Sequence, residues 1–370
     1  MAPDPSRSTD PSAVLRPIAF SDIPGWAEDD HCAALGTFLA GARLIAPAPP
    51  KTRSLGIDGQ RLQWVAQRTP SLSDAIGSAE ARRFFERHFR PHRIDSAGFV
   101  TGYFEPEVPA SRIRTPDFPV ALYRRPDDLV EVGDGNRPAG WDPEIRFARR
   151  VEGGIAPFFD RTDIEAGALE GQGLELAWLR DPVDAFFIHV QGSARLRLAD
   201  GGTMRIAFDG KSGHRYTSIG RLAVERGLLS REEAHKDGLE TWLRAHPDQR
   251  RALLRENRSF IFFRQVRLRE DEGPLGAASV PLTPGRSLAV DRLLMTFHTP
   301  IWVAAAALTD PDMPGRSFRR LMIAQDTGSA IVGAARGDIF FGTGAGAGSV
   351  AGRVRHEAEM VALVPAGDAG

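Results

Sequence analysis

Asp326 and Asp338 stand at opposite ends of a crossover of mostly small residues, Asp326-Thr-Gly-Ser-Ala-Ile-Val-Gly333-Ala-Ala-Arg-Gly-Asp338, and each adjoins a strand-like apolar run, residues 321–324 and 339–341. A carboxyl beside an apolar strand is a candidate general acid, because desolvation disfavours its charged form and raises its pKa. The glycines that follow, Gly342, Gly344, Gly346 and Gly348, let a bulky polymer approach the backbone closely. The same aspartates would also serve as turn caps, a common use of Asp in loops. The pattern alone leaves both readings open.

Other chemistries fail on position. Asp209-Gly210-Lys211-Ser212 ends like a phosphate-binding loop, but Arg205 occupies the place of the required first glycine. The glycine run 342–348 never spells the dinucleotide-binding fingerprint. His88 and His92 have zincin spacing, yet Pro91 lies between them and Phe89 replaces the needed glutamate. No Gly-x-Ser-x-Gly elbow is present. Cys32 is the single cysteine, which excludes an internal disulfide and a cysteine-based metal site.

Composition narrows the class further. A formal net charge of -1 with 26% charged residues lacks the basic footprint of a nucleic-acid binder. Lys51, Lys211 and Lys236 are the only lysines among 47 basic residues, an arginine excess that codon bias explains without a binding patch. With 42% hydrophobic residues the chain can build about two domains without disulfide or metal support. No apolar run is long enough to cross a bilayer, and the opening residues lack the apolar core of a signal peptide. Residues 1–17 read as a disordered tail.

The elements that must position the aspartates follow from periodicity. Helical spacing of Leu35, Phe38, Leu39 and Leu44 predicts a helix over 30–46, and Phe84, Phe85 and Phe89 predict one over 78–89 that Pro91 ends. From Gly98 the texture becomes β: residues 99–104, 120–123, 174–176, 185–190, 194–198 and 204–208, with Asp200-Gly201-Gly202 as a hairpin turn. Helices return at 219–227, stopped by Gly227, at a capping box Ser230-Arg-Glu-Glu233 carrying Ala234, Leu239, Trp242 and Leu243 inward, and near 249–256. A second β block covers 259–263, 280–282, 288–290, 301–303, 321–324 and 338–341. The order helix, β, helix, β predicts a mainly β protein with flanking helices. Either β block is a candidate small barrel, one inserted into the other domain. Trp26, Trp242 and Trp302 sit in core-like patterns and receive no binding role.

The aspartate stretch resembles the three-aspartate (3D) domain of the membrane-bound lytic murein transglycosylase A (MltA) family. Further segments match in the family's order: Thr101-Gly-Tyr103-Phe-Glu-Pro106, Val190-Gln191-Gly192-Ser193, residues 210–220, 257–263, and 276–287. The resemblance runs from about residue 20 to residue 365. It implies a double-psi β-barrel catalytic domain in two segments, 18–104 and 221–366, with a second small β-barrel domain, 105–220, inserted between them.

The resemblance also implies an activity: cleavage of the β-1,4 bond between N-acetylmuramic acid and N-acetylglucosamine in peptidoglycan, leaving 1,6-anhydromuramic ends. Ordinary glycosidases need two carboxylates. Here the substrate's own C6 hydroxyl is the nucleophile, an intramolecular attack whose entropy is already lost, so one carboxyl suffices. Asp338 aligns with the family's catalytic acid and Asp326 with the first of its three aspartates. The third position falls in Gly344-Ala-Gly-Ala-Gly348, which has no carboxylate. Thr101, Tyr103, Gln191, Ser193 and Gly344 are the candidate substrate-binding residues, with packing roles open for Tyr103 and Gln191. No metal or cofactor is required. The implied partner is the glycan strand, with complexes among other cell-wall enzymes left open. The implied location is the periplasm or outer membrane. An inverting hydrolase on the same scaffold and a non-catalytic glycan-binding module are the alternatives.

Overall fold

The computed structural model describes residues 15–69, 76–133, 135–142 and 145–367. Most of the expected tail lies outside them. Its last three residues, Leu15–Pro17, form a short strand, β1, paired antiparallel with β2 (Phe89–Ile94). The chain divides into two units, Met1–Phe104 with Glu270–Gly342 and Val350–Gly370, and Glu105–Arg269 with Thr343–Ser349.

In the first unit α1 (His31–Ile45) starts at Asp30, whose carboxylate accepts from the Ala33 amide at 3.1 Å. The next helix, α2 (Gly59–Ala66), is capped in the same way by Asp58; its short amphipathic pattern is not read from the sequence. The third, α3 (Ser78–His88), stops at Phe89, which is already extended. The stop is therefore Phe89, not Pro91, which lies inside β2. Phe38 meets Phe85 and Phe89 edge-on with centroids 6.3 and 5.8 Å apart. All three are fully buried, each contributing roughly 1.5–3 kcal/mol by leaving water. After β2, β3 (Phe99–Glu105) carries the Thr-Gly-Tyr segment.

The second unit holds β4 (Glu107–Ser111), β5 (Val120–Tyr123), β6 (Leu129–Glu131), β7 (Phe147–Val151), β8 (Gly154–Ala156), α4 (Arg161–Glu165) and β9 (Glu175–Leu179). It continues with α5 (Pro182–Gln191), β10 (Ser193–Leu198), β11 (Thr203–Lys211), α6 (Ile219–Glu225), α7 (Lys236–Ala245), α8 (Pro247–Arg255) and β12 (Ile261–Val266). One sheet has the order β12-β11-β10-β4-β9-β5 and a smaller one β6-β7-β8.

Two expectations are corrected here. Residues 185–190 are not a strand but the body of α5: Asp181 caps it, Pro182 opens it and Gly192, at φ 79°, closes it. The Ser230–Glu233 bonds form as the capping box requires, yet they close a turn, and α7 begins later with His235 as its cap. Ile219, Ala223, Leu239, Trp242 and Leu253 pack on Val183 and Phe186 of α5, so α6, α7 and α8 belong to the second unit.

The chain returns to the first unit with β13 (Ser287–Val290), β14 (Pro300–Thr309), β15 (Ser317–Asp326) and β16 (Arg336–Thr343). It ends with α9 (Gly344–Ala351), most of which belongs to the second unit, and with β17 (Arg355–Glu357) and β18 (Glu359–Pro365) of the first. The glycine run thus opens a helix. Residues 280–282 form no strand, only an isolated bridge between Leu275 and Pro281. Nine strands pair in the order β1-β2-β18-β14-β15-β13-β16-β3-β17, and α1 to α3 pack on this sheet through one core.

Buried polar pairs fix that sheet's alignment. Ser287 on β13 donates to the Gln325 carbonyl oxygen at 2.6 Å, and the same amide donates to the Thr37 carbonyl of α1 at 2.9 Å. Arg286 grips the Asp29 carboxylate with two nitrogens, at 2.8 and 3.0 Å, and the Leu321 amide donates to it at 2.9 Å. The fold is mainly β with flanking helices. Among the described residues no helix is long and apolar enough to cross a membrane.

Candidate active site

The site grows from four neighbouring strands. On β13, Ala289 is the cross-strand partner of both aspartates: Asp326 at the end of β15, running parallel, and Asp338 near the start of β16, running antiparallel. On the far side of β16 lies β3, where Thr101 and Tyr103 share a face because side chains alternate along a strand. Gly102 between them has no room for a side chain. A Cβ there would lie 2.8 Å from the Ala351 backbone and from the Phe341 ring, so glycine is required by the close approach of neighbouring segments.

Each aspartate takes a hydroxyl from β3. Thr101 Oγ1 donates to Asp338 Oδ1 at 2.5 Å, and Tyr103 OH donates to Asp326 Oδ2 at 2.9 Å. Asp326 Oδ1 also accepts from the Ala277 amide at 2.9 Å, so both of its oxygens are engaged. For Asp338, no further hydrogen bond to its carboxyl is made among the described residues, which leaves Oδ2 free to carry a proton. Arg336, two residues before Asp338 on the same strand face, donates to Thr101 Oγ1 at 2.7 Å. The Thr101 hydroxyl therefore has its proton committed to Asp338 and a lone pair committed to Arg336.

The electrostatics separate the groups. Burial pushes the Asp338 carboxyl up to about 6, against the opposing pull of Arg336 and the Thr101 hydroxyl and with a further push from the Asp326 charge. Part of the side chain still meets solvent. Burial likewise raises Asp326, opposed by the Ala277 and Thr327 amides and by Tyr103. Desolvation holds the Tyr103 phenol well above its ordinary range, with Asp326 adding to it. Arg336 is lowered by burial, and the Asp338 carboxylate opposes that. A carboxyl near 6 with one free oxygen, beside a hydroxyl fixed by a guanidinium, is equipped to give and retake a proton near neutrality.

Of the residues singled out from the sequence, Asp338, Asp326, Thr101 and Tyr103 converge in the first unit. Gln191, Ser193 and Gly344 fall in the second: Gln191 ends α5, Ser193 is buried at the start of β10 against Ala207, and Gly344, at φ 87°, begins α9. Sequence reasoning missed Arg336 and the Ala277 amide. The signal for Arg336 was present, since the i, i+2 spacing puts Arg336 and Asp338 on one side of a strand.

The glycine run and the paired aspartates identify the class. Residues 286–364 match the 3D domain, and residues 99–264 match the MltA specific insert domain, so this is a two-unit 3D-domain protein. A solved membrane-bound lytic murein transglycosylase from Agrobacterium tumefaciens is 42% identical, superimposes with a TM-score of 0.87, and the match covers 95% of this chain and 97% of that one. The chain belongs to the membrane-bound lytic murein transglycosylase A family. The membrane-bound lytic murein transglycosylase A of Vibrio cholerae is 37% identical over 200 residues, 53% of this chain. The chain spans 53% of the length of that curated relative. Escherichia coli MltA, solved with bound chitohexaose, is 26% identical with a TM-score of 0.64, over 97% of this chain and 94% of that one.

Proposed function

We propose that this protein is a peptidoglycan lytic transglycosylase that uses Asp338 as its single acid and base. The observation that carries the reading is the Asp338 carboxyl, raised to about 6 by burial and held by Thr101 with one oxygen left open. Asp338 Oδ2 gives its proton to the bridging oxygen as the bond from C1 of N-acetylmuramic acid to that oxygen breaks. The C6 hydroxyl of the same sugar then forms the new bond to C1, and its proton returns to Asp338. No water is consumed. The chitohexaose bound to the Escherichia coli relative supports a β-1,4-linked amino-sugar chain as the ligand.

Asp326 positions rather than reacts in this reading. Its oxygens are taken by Tyr103 and Ala277, which disfavours a hydrolase that would need Asp326 as base. Gln191, Ser193 and Gly344 are proposed to hold sugars from the second unit. The finer fold reading, a double-psi barrel with an inserted β-barrel domain, is part of the proposal. The substrate places the enzyme in the periplasm or at the outer membrane.

The direct test is digestion of purified peptidoglycan followed by mass spectrometry of the released muropeptides. Products lighter by one water, from anhydro ends, are expected. Reducing ends would make the protein a hydrolase, and binding without release would make it a glycan-binding module.

The pH profile offers a second test. Only protonated Asp338 is active as acid, so kcat/KM should fall about tenfold per pH unit above roughly pH 6. Arg336→Gln removes the charge that lowers the Asp338 pKa, so this alkaline limb should move to higher pH. Asp326→Asn removes a charge that raises it, and the limb should move the other way. Limbs that stay fixed in both variants would show that another group governs the profile.

A further inference from the structure

A second depression lies in the first unit, lined by Leu44, Pro50, Lys51, Arg53, Phe297 and the turn 277–279, with a volume of about 370 Å³. Its chemistry is one-sided. Leu44, Pro50 and Phe297 give an apolar wall, and Leu44 is 46% exposed despite its size. No acidic residue lines it. The side chains of Lys51 and Arg53 make no ion pair among the described residues. His298, also in the lining, adds no charge: burial lowers its pKa to about 4, and its Nδ1, packed against Gly41, has no hydrogen-bond partner.

The backbone marks the same place. Among the described residues only two other than glycine adopt left-handed backbone, Ser279 at φ 62° and His298 at φ 67°. Both line this depression. Such conformations are costly for L-residues and persist where the surroundings hold them. The turn that forms one wall also serves the site already described, because the Ala277 amide bonds Asp326 and the Ala278 amide donates to the Gln325 carbonyl at 3.0 Å.

We infer that this depression is a second binding site, for the carboxylate end of a short alanyl peptide. The Lys51 and Arg53 cations would take the carboxylate, and the Leu44, Pro50 and Phe297 wall would take the methyl groups. Peptide stems of the proposed substrate are the source that supplies such an end. That source, though not the site, rests on the peptidoglycan reading. Occupancy bears on Asp326 through the Ala277 turn.

The test is calorimetric titration of the full chain with N-acetyl-D-alanyl-D-alanine, with its C-terminal amide, and with octanoate. Saturable binding of the acid is expected, with the amide at least tenfold weaker. The Lys51→Gln, Arg53→Gln double variant should weaken the acid at least tenfold, and Leu44→Asp, which sets a carboxylate on an exposed position of the wall, should do the same. Both variants should still release anhydro products from peptide-free glycan chains, so failure of this site and failure of the proposed activity are read separately. Absence of saturable binding, equal binding of the amide, or full affinity in the double variant would overturn the assignment. Octanoate binding without peptide binding would overturn the peptide in favour of an acyl chain.

Discussion

Asp338→Asn should reduce release of anhydro products by about 10⁴-fold, the upper end of what one general acid supplies, because one carboxyl is asked to act as both acid and base. The amide is nearly the same shape and its oxygen still accepts the Thr101 hydroxyl, so glycan binding should survive. Stability should not fall, and the sign follows from the raised pKa. A carboxyl whose folded-state pKa lies near 6, above its ordinary 3.8, costs the fold nothing while protonated. That cost appears as pH rises above the unfolded value and is complete above the folded one. At pH 7 the neutral amide escapes it, so the inactive variant should melt at or above the temperature of the active protein. Normal turnover by Asp338→Asn would place the catalytic acid elsewhere. Lost turnover together with a lower melting temperature would mean that the substitution had damaged the fold instead.

Arg286→Ala should be the most damaging change to stability. The Asp29 carboxylate is buried and receives both Arg286 nitrogens and the Leu321 amide. Arg286 also donates to the Leu321 carbonyl at 2.9 Å. Removing one partner of a buried pair strands the other charge, at a cost of about 3–5 kcal/mol. For a unit of this size the melting temperature should drop on the order of 10 °C. Replacing both partners, Asp29→Leu with Arg286→Met, should recover much of the loss, because buried pairs are often matched by apolar groups of similar volume. Thermal unfolding followed by circular dichroism measures all three proteins. A drop of only a degree or two in Arg286→Ala would show that water reaches Asp29.

What the sequence revealed depended on how local the governing physics is. The first and third helices were legible because their apolar stripes are long and bounded, and the hairpin at Asp200-Gly201-Gly202 joins β10 to β11 as its turn chemistry requires. Residues 185–190 were misread because a short, wholly apolar run looks the same as a buried strand or a buried helix. The deciding signals lay outside the run, at Asp181, Pro182 and Gly192. At the site, Asp338, Asp326, Thr101 and Tyr103 could be named from the chain, but not which hydroxyl serves which carboxyl. That pairing depends on β3 lying beside β16 across more than 200 positions of sequence. Arg336 was overlooked for a different reason: its role exists only through Thr101, a residue far away in the chain.

Ala289 faces both aspartates across adjacent strands, so their separation is a lattice dimension of the sheet rather than a property of the crossover joining them. Neighbouring strands lie about 4.8 Å apart, and two such steps set the gauge. The residues between Asp326 and Asp338 are accordingly spared from measuring anything. The loop between the strands, residues 327–335, could change in length while the spacing of the carboxyls stays constant, provided that Arg336 keeps its place on β16 and its bond to Thr101. β13 has no such licence: a single inserted residue there would turn its side chains to the opposite face and uncouple two groups that it never touches chemically.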